Sequence, residues 1–324
     1  MADRPSEFAL IAKLFAPLAQ TPGAFGLRDD AALLPQLAGH DIVVTTDALV
    51  EGVHFRGDDP PASIAKKALR ANLSDLTAKG AEPAGYLLAL SLPAHIGIAW
   101  LESFARGLEA DQKTFSVPLL GGDTTATPGP LTLAITALGH VPAGTMIRRA
   151  GAKAGESVYV SGTVGDAGGG LALLNGEGAR LGKNQREELI ERYRVPNPRL
   201  ALGLALRGVA SAALDVSDGL VGDLGHIAEV SRVRIVVEAG RIPVSPALRT
   251  LWGSTPEAVV RAATAGDDYE IAFAAPSERA VMDAAKRAGV PVTRIGRVEE
   301  GCGVVLTGAD GREIPVPRAG FTHF

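Results

Sequence analysis

A short apolar strand that leads into hydroxyl and acidic side chains is the feature that most constrains how this chain can fold. The stretch Ile42–Phe55 begins with β-branched apolar residues and two threonines, which favour a strand, and then reaches Asp47. We expect the strand to be buried and Asp47 to lie at its carboxyl end, at the edge of a ligand pocket. Carboxylate and hydroxyl oxygens suit a hard divalent cation such as Mg²⁺, although Asp47 taken alone also fits an ordinary turn residue.

Acidic residues beside apolar strands and helices recur along the chain, and most of them stand next to Ser, Thr, Asn or Gly. The five positions are Asp29–Asp30, Asp47, Asp75, Asp123 and the pair Asp215 and Asp218. Carboxylates that pack together without cations repel one another by about 1 kcal/mol per pair at 4 Å in water, and by more at lower dielectric. The repetition raises the hypothesis of a shared divalent-metal site, beside the alternative of separate structural turns.

Strand and helix patterns alternate in the first half, as they do in α/β and α+β folds. Pro61 suits the first turn of a long helix, and apolar residues then recur at helical spacing as far as Leu76. Two aspartates are expected to open a short strand over residues 29–34. The sequence therefore predicts a mixed α/β fold.

A basic segment at residues 148–153 marks the expected boundary between two domains, residues 1–148 and 149–324. In the second domain the glycine-rich run Gly162–Gly170 matches no known phosphate-binding motif. We interpret it as a place where a strand and a helix pack closely.

Composition and missing motifs exclude several classes of protein. The net charge is −4, which gives no basic field for nucleic acid, and a single cysteine excludes an intrachain disulfide. The sequence has no apolar segment long enough to span a bilayer, no P-loop, no dinucleotide-binding glycine motif, no nucleophile elbow and no zinc-protease motif. We expect no signal peptide, because the first residues lack a basic region followed by an apolar run. We expect a cytoplasmic protein that binds neither nucleic acid nor membrane.

Six segments in the same order resemble thiamine-monophosphate kinases, a family grouped with aminoimidazole ribonucleotide synthetase and selenophosphate synthetase. The segments are DDAAL (29–33), TTDALVEGVHF (45–55), KALRANLSDLTAKGAEP (67–83), LLGGDTT (119–125), DVSDGL with DLGHI (215–227) and GDDYEI (266–271). The similarity runs from Glu7 to Phe324. It implies ATP-dependent phosphorylation of thiamine monophosphate to thiamine diphosphate.

The resemblance also implies a set of site residues. Several Mg²⁺ ions would be held by Asp30, Thr45, Thr46, Asp47, Asp75, Asp123, Asp215 and Asp218. ATP would contact Gly122, Asp123, Arg149 and Ser217, and thiamine monophosphate would contact His54, Asp267 and Phe321. No general base is implied. The first domain would carry most of these aspartates and the interface of a homodimer. Its strands would join a β-barrel across that interface. The second domain would complete the ATP and substrate site.

Some of these assignments compete with simpler interpretations. A lone histidine such as His54 is more often structural, Arg149 also fits a solvated linker, and Phe321 also fits a C-terminal core residue. The family usually has Glu where Asp267 stands, which shortens the reach of this carboxylate by one methylene.

At two further positions this chain has a basic residue where the family usually has an uncharged one. Arg28 replaces a usual glycine and is expected to point to solvent, and Lys79 is interpreted as a neutral surface change. Two other functions stay open: a related ATP-dependent synthetase with another acceptor, and a non-catalytic protein that binds nucleotide or thiamine phosphate.

Overall fold

The structure is a computed structural model that describes residues 6–178 and 181–322. His323 and Phe324, the last residues of the family resemblance, lie outside this range. The chain divides into two compact units. The first ends at Gly144 but leaves out Thr77–Gly80, which belong with the second unit from Thr145 onward.

The first unit is a four-stranded sheet with helices on one face. Its helices are α1 (Glu7–Leu10), α2 (Pro61–Ala78) and α3 (Ile98–Phe115), with a π turn at Ile11–Phe15 and 3₁₀ turns at Ala16–Leu18 and Pro22–Leu27. Its strands are β1 (His40–Val50), β2 (Glu82–Leu92), β3 (Leu119–Ala126) and β4 (Thr132–Pro142), in the spatial order β1-β4-β2-β3. Pairing is antiparallel except between β2 and β3.

One face of this sheet is buried and the other is open. Leu69 and Leu73 of α2 and Phe104 of α3 pack in one core with alternate residues of the strands, such as Tyr86 and Ile135. Because successive strand residues point to opposite faces, the intervening residues form the second face. Its exposed apolar members include Ile42, Val44 and Leu87.

The second unit is a seven-stranded sheet with helices on both faces. Its strands are β5 (Ser157–Ser161), β6 (Ala212–Asp215), β7 (Arg234–Glu238), β8 (Ile271–Ala275), β9 (Val292–Glu299), β10 (Gly303–Thr307) and β11 (Glu313–Ile314), in the order β11-β10-β7-β9-β5-β8-β6. Its helices are α4 (Asp166–Leu174), α5 (Lys183–Arg194), α6 (Leu200–Ala205), α7 (Leu220–Ser231), α8 (Pro246–Trp252), α9 (Pro256–Ala263) and α10 (Glu278–Ala288), with a 3₁₀ turn at Ala239–Arg241.

Residues of β5 illustrate how both faces of this sheet are buried. Val158 packs in a core with Leu224 of α7, whereas the adjacent Tyr159 packs on the other side with Leu202 of α6 and Ala284 of α10. A mixed α/β fold with two units is therefore what the alternating pattern predicts and what the structure has.

Two predicted local structures are wrong. Residues 29–34 form no strand, because the Leu33 N–H donates to the carbonyl of Gly23 instead of to a neighbouring strand. Lys79 is not a neutral surface residue: it is half-buried, and its ammonium group donates to the Ala213 carbonyl at 2.8 Å.

The glycine-rich run before and within α4 does pack closely, but its near neighbours are helices and not the strand that was expected. At Gly170 a Cβ would collide with the carbonyl of Leu189 on α5, and at Gly165 it would meet Ala262 of α9. None of the helices among residues 6–178 and 181–322 combines the length and apolar character needed to cross a bilayer.

Candidate functional site

Strand β1 and helix α2 bring three polar side chains together on the helix-covered face of the first sheet. The Thr45 hydroxyl donates to Oδ2 of Asp75 at 2.5 Å. The Asp47 N–H donates to Oδ1 of buried Asn72 at 3.1 Å. Thr45 and Asp47 are two residues apart on a strand, so their side chains point to the same face. The structure therefore joins Thr45, Asp47 and Asp75.

The sequence suggested that the acidic positions are turns, but Asp47, Asp75 and Asp123 lie within regular secondary structure. Asp47 lies inside β1, Asp123 inside β3 and Asp75 near the end of α2. The apolar residues after Asp47 continue the strand, which pairs with β4 over its whole length. A carboxylate in the last turns of a helix is disfavoured by the helix dipole, and the Thr45 hydroxyl compensates Asp75.

A cavity of about 670 Å³ holds a second group of polar residues in the first unit. Asp29, Asp30, Gly122, Asp123 and Thr124 line it, together with apolar side chains of the sheet and of the N-terminal segment. Asp30 and Asp123 are both exposed. Their carboxylates can therefore receive a ligand that enters from solvent.

Gly122 has a packing reason as well as a predicted nucleotide contact. Its φ is +157°, and a Cβ there would collide with the carbonyl of Leu88 on β2. Glycine at this position lets β3 approach β2 just before Asp123. A substitution would move the acidic residue with the strand.

Thr46 lies on the open face of the sheet, opposite to Thr45 and Asp47. Its hydroxyl donates to the Ile135 carbonyl at 3.1 Å and accepts from the Thr136 hydroxyl at 3.0 Å. The adjacent threonines therefore do not present their side chains to one site within this unit.

Asp47 and Asp123 are separated by the width of the sheet. Strands β4 and β2 lie between β1 and β3, so the two aspartates are three strand spacings apart, about 14 Å. Asp123 pairs with Ala89, which points to the same open face as Leu87, whereas Thr45 and Asp47 point to the helix-covered face. Within the first unit the predicted metal ligands therefore form two groups, one on each face. Convergence of all the aspartates on one place stays a prediction.

Two other predicted residues occupy different settings. Nδ1 of half-buried His54 accepts a hydrogen bond from the Val50 N–H at 3.0 Å, which fixes the ring at the end of β1. Arg149, in the second unit, is exposed. Arg28 is exposed as well, in agreement with the expectation that it points to solvent.

In the second unit, β6 ends at buried Asp215 and leads into the turn Ser217–Gly219 before α7. Oδ2 of Asp223, on the first turns of α7, accepts the N–H groups of Ser217, Asp218 and Gly219 at 3.0, 3.1 and 3.2 Å. The bond from Gly219, the residue before the helix, satisfies a donor that the start of α7 leaves without a partner. Together the three bonds fix the backbone of the turn.

Asp223 is the functional candidate that sequence reasoning missed. Burial, and then the charge of Asp218, raises the pKa of the Asp223 carboxyl to about 7, against the lowering effect of its three N–H donors. The family resemblance could have indicated Asp223, because this residue belongs to the family-like segment 215–227. Its spacing to the turn gave no reason to separate it from an ordinary helix residue.

The predicted substrate residues Asp267 and Phe321 both contact this turn through their backbones. The Asp267 N–H donates to the Ser217 carbonyl at 2.7 Å, and the Phe321 N–H donates to the Asp218 carbonyl at 2.9 Å. Asp267 has a left-handed φ of 68°, a conformation that aspartate tolerates better than most residues. Phe321 is 43% exposed and therefore is not a core residue.

Buried charges that sequence reasoning also missed fix the segment after Asp267. The Asp268 carboxylate accepts the N–H of Gly165 at 2.6 Å and that of Ala167 at 3.3 Å, and burial raises the pKa of its carboxyl well above the usual value. Glu270 is fully buried and pairs with Arg192 and Arg199. Nothing in the spacing of these residues distinguished them from the exposed charges nearby.

The donor set fits magnesium. Among the described residues, no three His, Cys, Asp or Glu side chains lie close enough to hold a metal ion together. Magnesium in phosphate-transferring sites is usually bound through one or two carboxylates plus phosphate oxygens and water. The Asp75 and Thr45 pair, and the cavity with Asp30 and Asp123, each supply ligands of that kind.

Comparisons with known proteins agree over nearly the whole chain. Family models match residues 28–141 (AIR synthase related protein, N-terminal domain) and 153–309 (AIR synthase related protein, C-terminal domain). A thiamine-monophosphate kinase from Caulobacter vibrioides is 46% identical, over 99% of this chain and 92% of that protein.

Two solved structures are also similar. The crystal structure of a thiamine-monophosphate kinase from Stenotrophomonas maltophilia K279a is 43% identical, with a TM-score of 0.84 over 95% of this chain and 98% of the other. A structure described as "AaThiL complexed with AMPPCP and TMP" is 30% identical, with a TM-score of 0.78 over 98% of this chain and 94% of the other. By its sequence along nearly its full length and by its fold, the chain belongs to the thiamine-monophosphate kinase family.

Proposed function

We propose that this protein transfers the γ-phosphoryl group of ATP to thiamine monophosphate, which yields thiamine diphosphate and ADP. The observation that carries the proposal is the 46% identity to a thiamine-monophosphate kinase over 99% of the chain. The two groups of carboxylates and hydroxyls in the first unit, and the acidic turn in the second, are the chemistry that such a transfer uses.

The acceptor of this reaction explains why the site needs no general base. A phosphate monoester has a second pKa near 6, so thiamine monophosphate is mostly a dianion at pH 7 and is already a nucleophile. The obstacle is the repulsion between this dianion and the triphosphate chain of ATP. The protein must therefore hold the two anions in line and bring cations to them.

Magnesium is the cation that fits. Asp30, Thr45, Thr46, Asp47, Asp75, Asp123, Asp215 and Asp218 would hold the ions. Bound Mg²⁺ would neutralise the phosphate oxygens and help to orient them. The carboxylates themselves set where the ions stand, and the hydrogen bond from Thr45 to Asp75 orients one of these carboxylates.

The chain's other predicted residues bind and orient the reactants. On the nucleotide side, Gly122 and Asp123 border the cavity, Ser217 lies on the turn before α7, and Arg149 can give a phosphate a charge-assisted contact. On the thiamine side, Phe321 can stack on the cationic thiazolium, and Asp267 and His54 can contact its polar groups. The second unit, on this proposal, completes the ATP and substrate site.

The open face of the first sheet supports a homodimer. Ile42 and Val44 on β1 are 48% and 59% exposed, and Leu87 on β2 is 39% exposed on the same face. Strands β1 and β3 are the outer strands of the sheet, so each has an edge to pair. A second copy would cover this face and close the two sheets into a barrel, as the resemblance implies. Light scattering of the purified protein should then give twice the chain mass of 33.3 kDa, and a monomer would contradict the barrel.

We expect the purified protein to form thiamine diphosphate and ADP from thiamine monophosphate, ATP and Mg²⁺. Removal of divalent ions with EDTA should abolish the reaction, and added Mg²⁺ should restore it. Thiamine in place of its monophosphate is the matched control, because it lacks the acceptor phosphate and should give no product. ADP release with a different acceptor would favour a related synthetase, and tight binding without turnover would favour a sensor. We place the reaction in the cytoplasm.

A further inference from the structure

The turn Ser217–Gly219 is bonded on one side to both segments that carry the predicted thiamine-side residues. Its Ser217 carbonyl accepts from the Asp267 N–H at 2.7 Å, and its Asp218 carbonyl accepts from the Phe321 N–H at 2.9 Å. On the other side, Oδ2 of Asp223 holds all three N–H groups of the turn. Ser217 and Asp218 therefore have both of their backbone polar groups committed.

The two neighbouring segments approach so closely that only glycine fits. A Cβ on Gly266 would lie 2.6 Å from the Ser217 carbonyl oxygen, and a Cβ on Gly320 would lie 2.5 Å from that of Asp218. Contacts this short do not occur between real Cβ and oxygen atoms, so an added methyl group would displace the turn or the segment. The contact is between backbones, which leaves no flexible side chain to absorb the shift.

We propose that Asp223 is a positioning residue and that the turn it holds couples the nucleotide side of the site to the thiamine side. Ser217 and Asp218, predicted to contact ATP and magnesium, cannot move without moving the Asp267 and Phe321 backbones. This inference rests on the proposed function, since that function assigns residues to the two sides. It adds a role for Asp223 and a direct mechanical link between the two substrates.

A residue that only stabilised the start of α7 would need fewer hydrogen bonds than Asp223 accepts. To begin α7, the carboxylate needs to satisfy only the Gly219 N–H, at the residue before the helix. The same oxygen also takes the N–H groups of Ser217 and Asp218, which lie outside the helix. A second bond, from the Gly222 N–H to the Ala319 carbonyl at 2.9 Å, attaches the C-terminal segment to the same end of α7.

The test is a substitution on the thiamine side that is read out on the nucleotide side. Gly320→Ala should weaken ATP binding about tenfold, in calorimetric titrations of each substrate alone with Mg²⁺ present, because the methyl group pushes on the Asp218 carbonyl. Gly225→Ala is the matched control: it adds the same methyl group within α7, where nothing lies within 4 Å of the added Cβ, and should leave both affinities unchanged.

The Asp223 variants separate positioning from folding. Asp223→Ala should weaken both ATP and thiamine monophosphate, and Asp223→Asn, which keeps an acceptor oxygen, should recover most of both affinities. If Gly320→Ala folds and binds ATP as the wild type does, the coupling is wrong. If it fails to fold, Asp223→Ala decides: unchanged affinities with a lowered melting temperature would leave Asp223 a structural residue and overturn the proposal. A wild-type protein that binds both substrates but makes no thiamine diphosphate would instead refute the proposed function.

Discussion

Asp75→Asn should lower kcat about 100-fold and leave the fold intact. The substitution keeps the size of the side chain and an oxygen that can accept the hydrogen bond from Thr45, but it removes the negative charge. A metal ligand that neutralises phosphate charge in the transition state contributes several kcal/mol, and a loss of about 3 kcal/mol corresponds to about 100-fold in rate. Steady-state assays across a Mg²⁺ titration measure the effect. The variant should also need more Mg²⁺ for half-maximal activity.

The control for this prediction is Asp283→Asn, which removes the same charge from an exposed position on α10. It should leave kcat and the Mg²⁺ requirement unchanged. A kcat for Asp75→Asn within about threefold of wild type, with the same Mg²⁺ dependence, would remove Asp75 from the magnesium site.

Glu270→Gln should lower the melting temperature by about 10 °C. Glu270 is fully buried, pairs with Arg192 and Arg199, and accepts a hydrogen bond from the Ser161 hydroxyl at 2.6 Å. Loss of its charge leaves two mostly buried guanidinium groups without the carboxylate that both of them pair with. Breaking a buried ion pair in this way costs about 3–5 kcal/mol, and each kcal/mol shifts the melting temperature by about 2–4 °C in a unit of this size.

Glu313→Gln is the matched control for the buried pair. Glu313 pairs with Arg234 at 2.6 Å, but both side chains are exposed. An exposed pair contributes about 0–1 kcal/mol, so the melting temperature should change by no more than a few degrees. Calorimetric scans of the two variants and the wild type give the comparison. Equal shifts in both variants would show that burial of the Glu270 network adds nothing to stability.

Local sequence predicted most of the regular structure because periodicity is a local property. The helix that begins at Pro61 lies where the apolar spacing placed it. Residues 29–34 failed as a strand because a strand also needs a neighbour, and the Leu33 N–H bonds to Gly23. Lys79 failed as a surface residue because the carbonyl that it contacts is 134 positions away in the chain.

For the candidate site, too, the sequence predicted some features and the fold decided the others. Sequence selected the residue types, since carboxylates and hydroxyls in a repeated pattern indicate hard-cation and phosphate chemistry. It gave no account of which ones meet. The pairing of Thr45 with Asp75, and the width of the sheet between Asp47 and Asp123, follow from strand order.

The order of residues along this chain thus determined its family, its mixed α/β class and the chemical character of its site, because these depend on composition, spacing and similarity. Only the tertiary structure decided that the first sheet sorts its polar residues onto two faces and that Asp223 holds the Ser217–Gly219 turn. It alone decided that Glu270 is buried between two arginines. The physical reason is that burial and hydrogen-bond partners are set by contacts between distant segments, which local spacing does not specify.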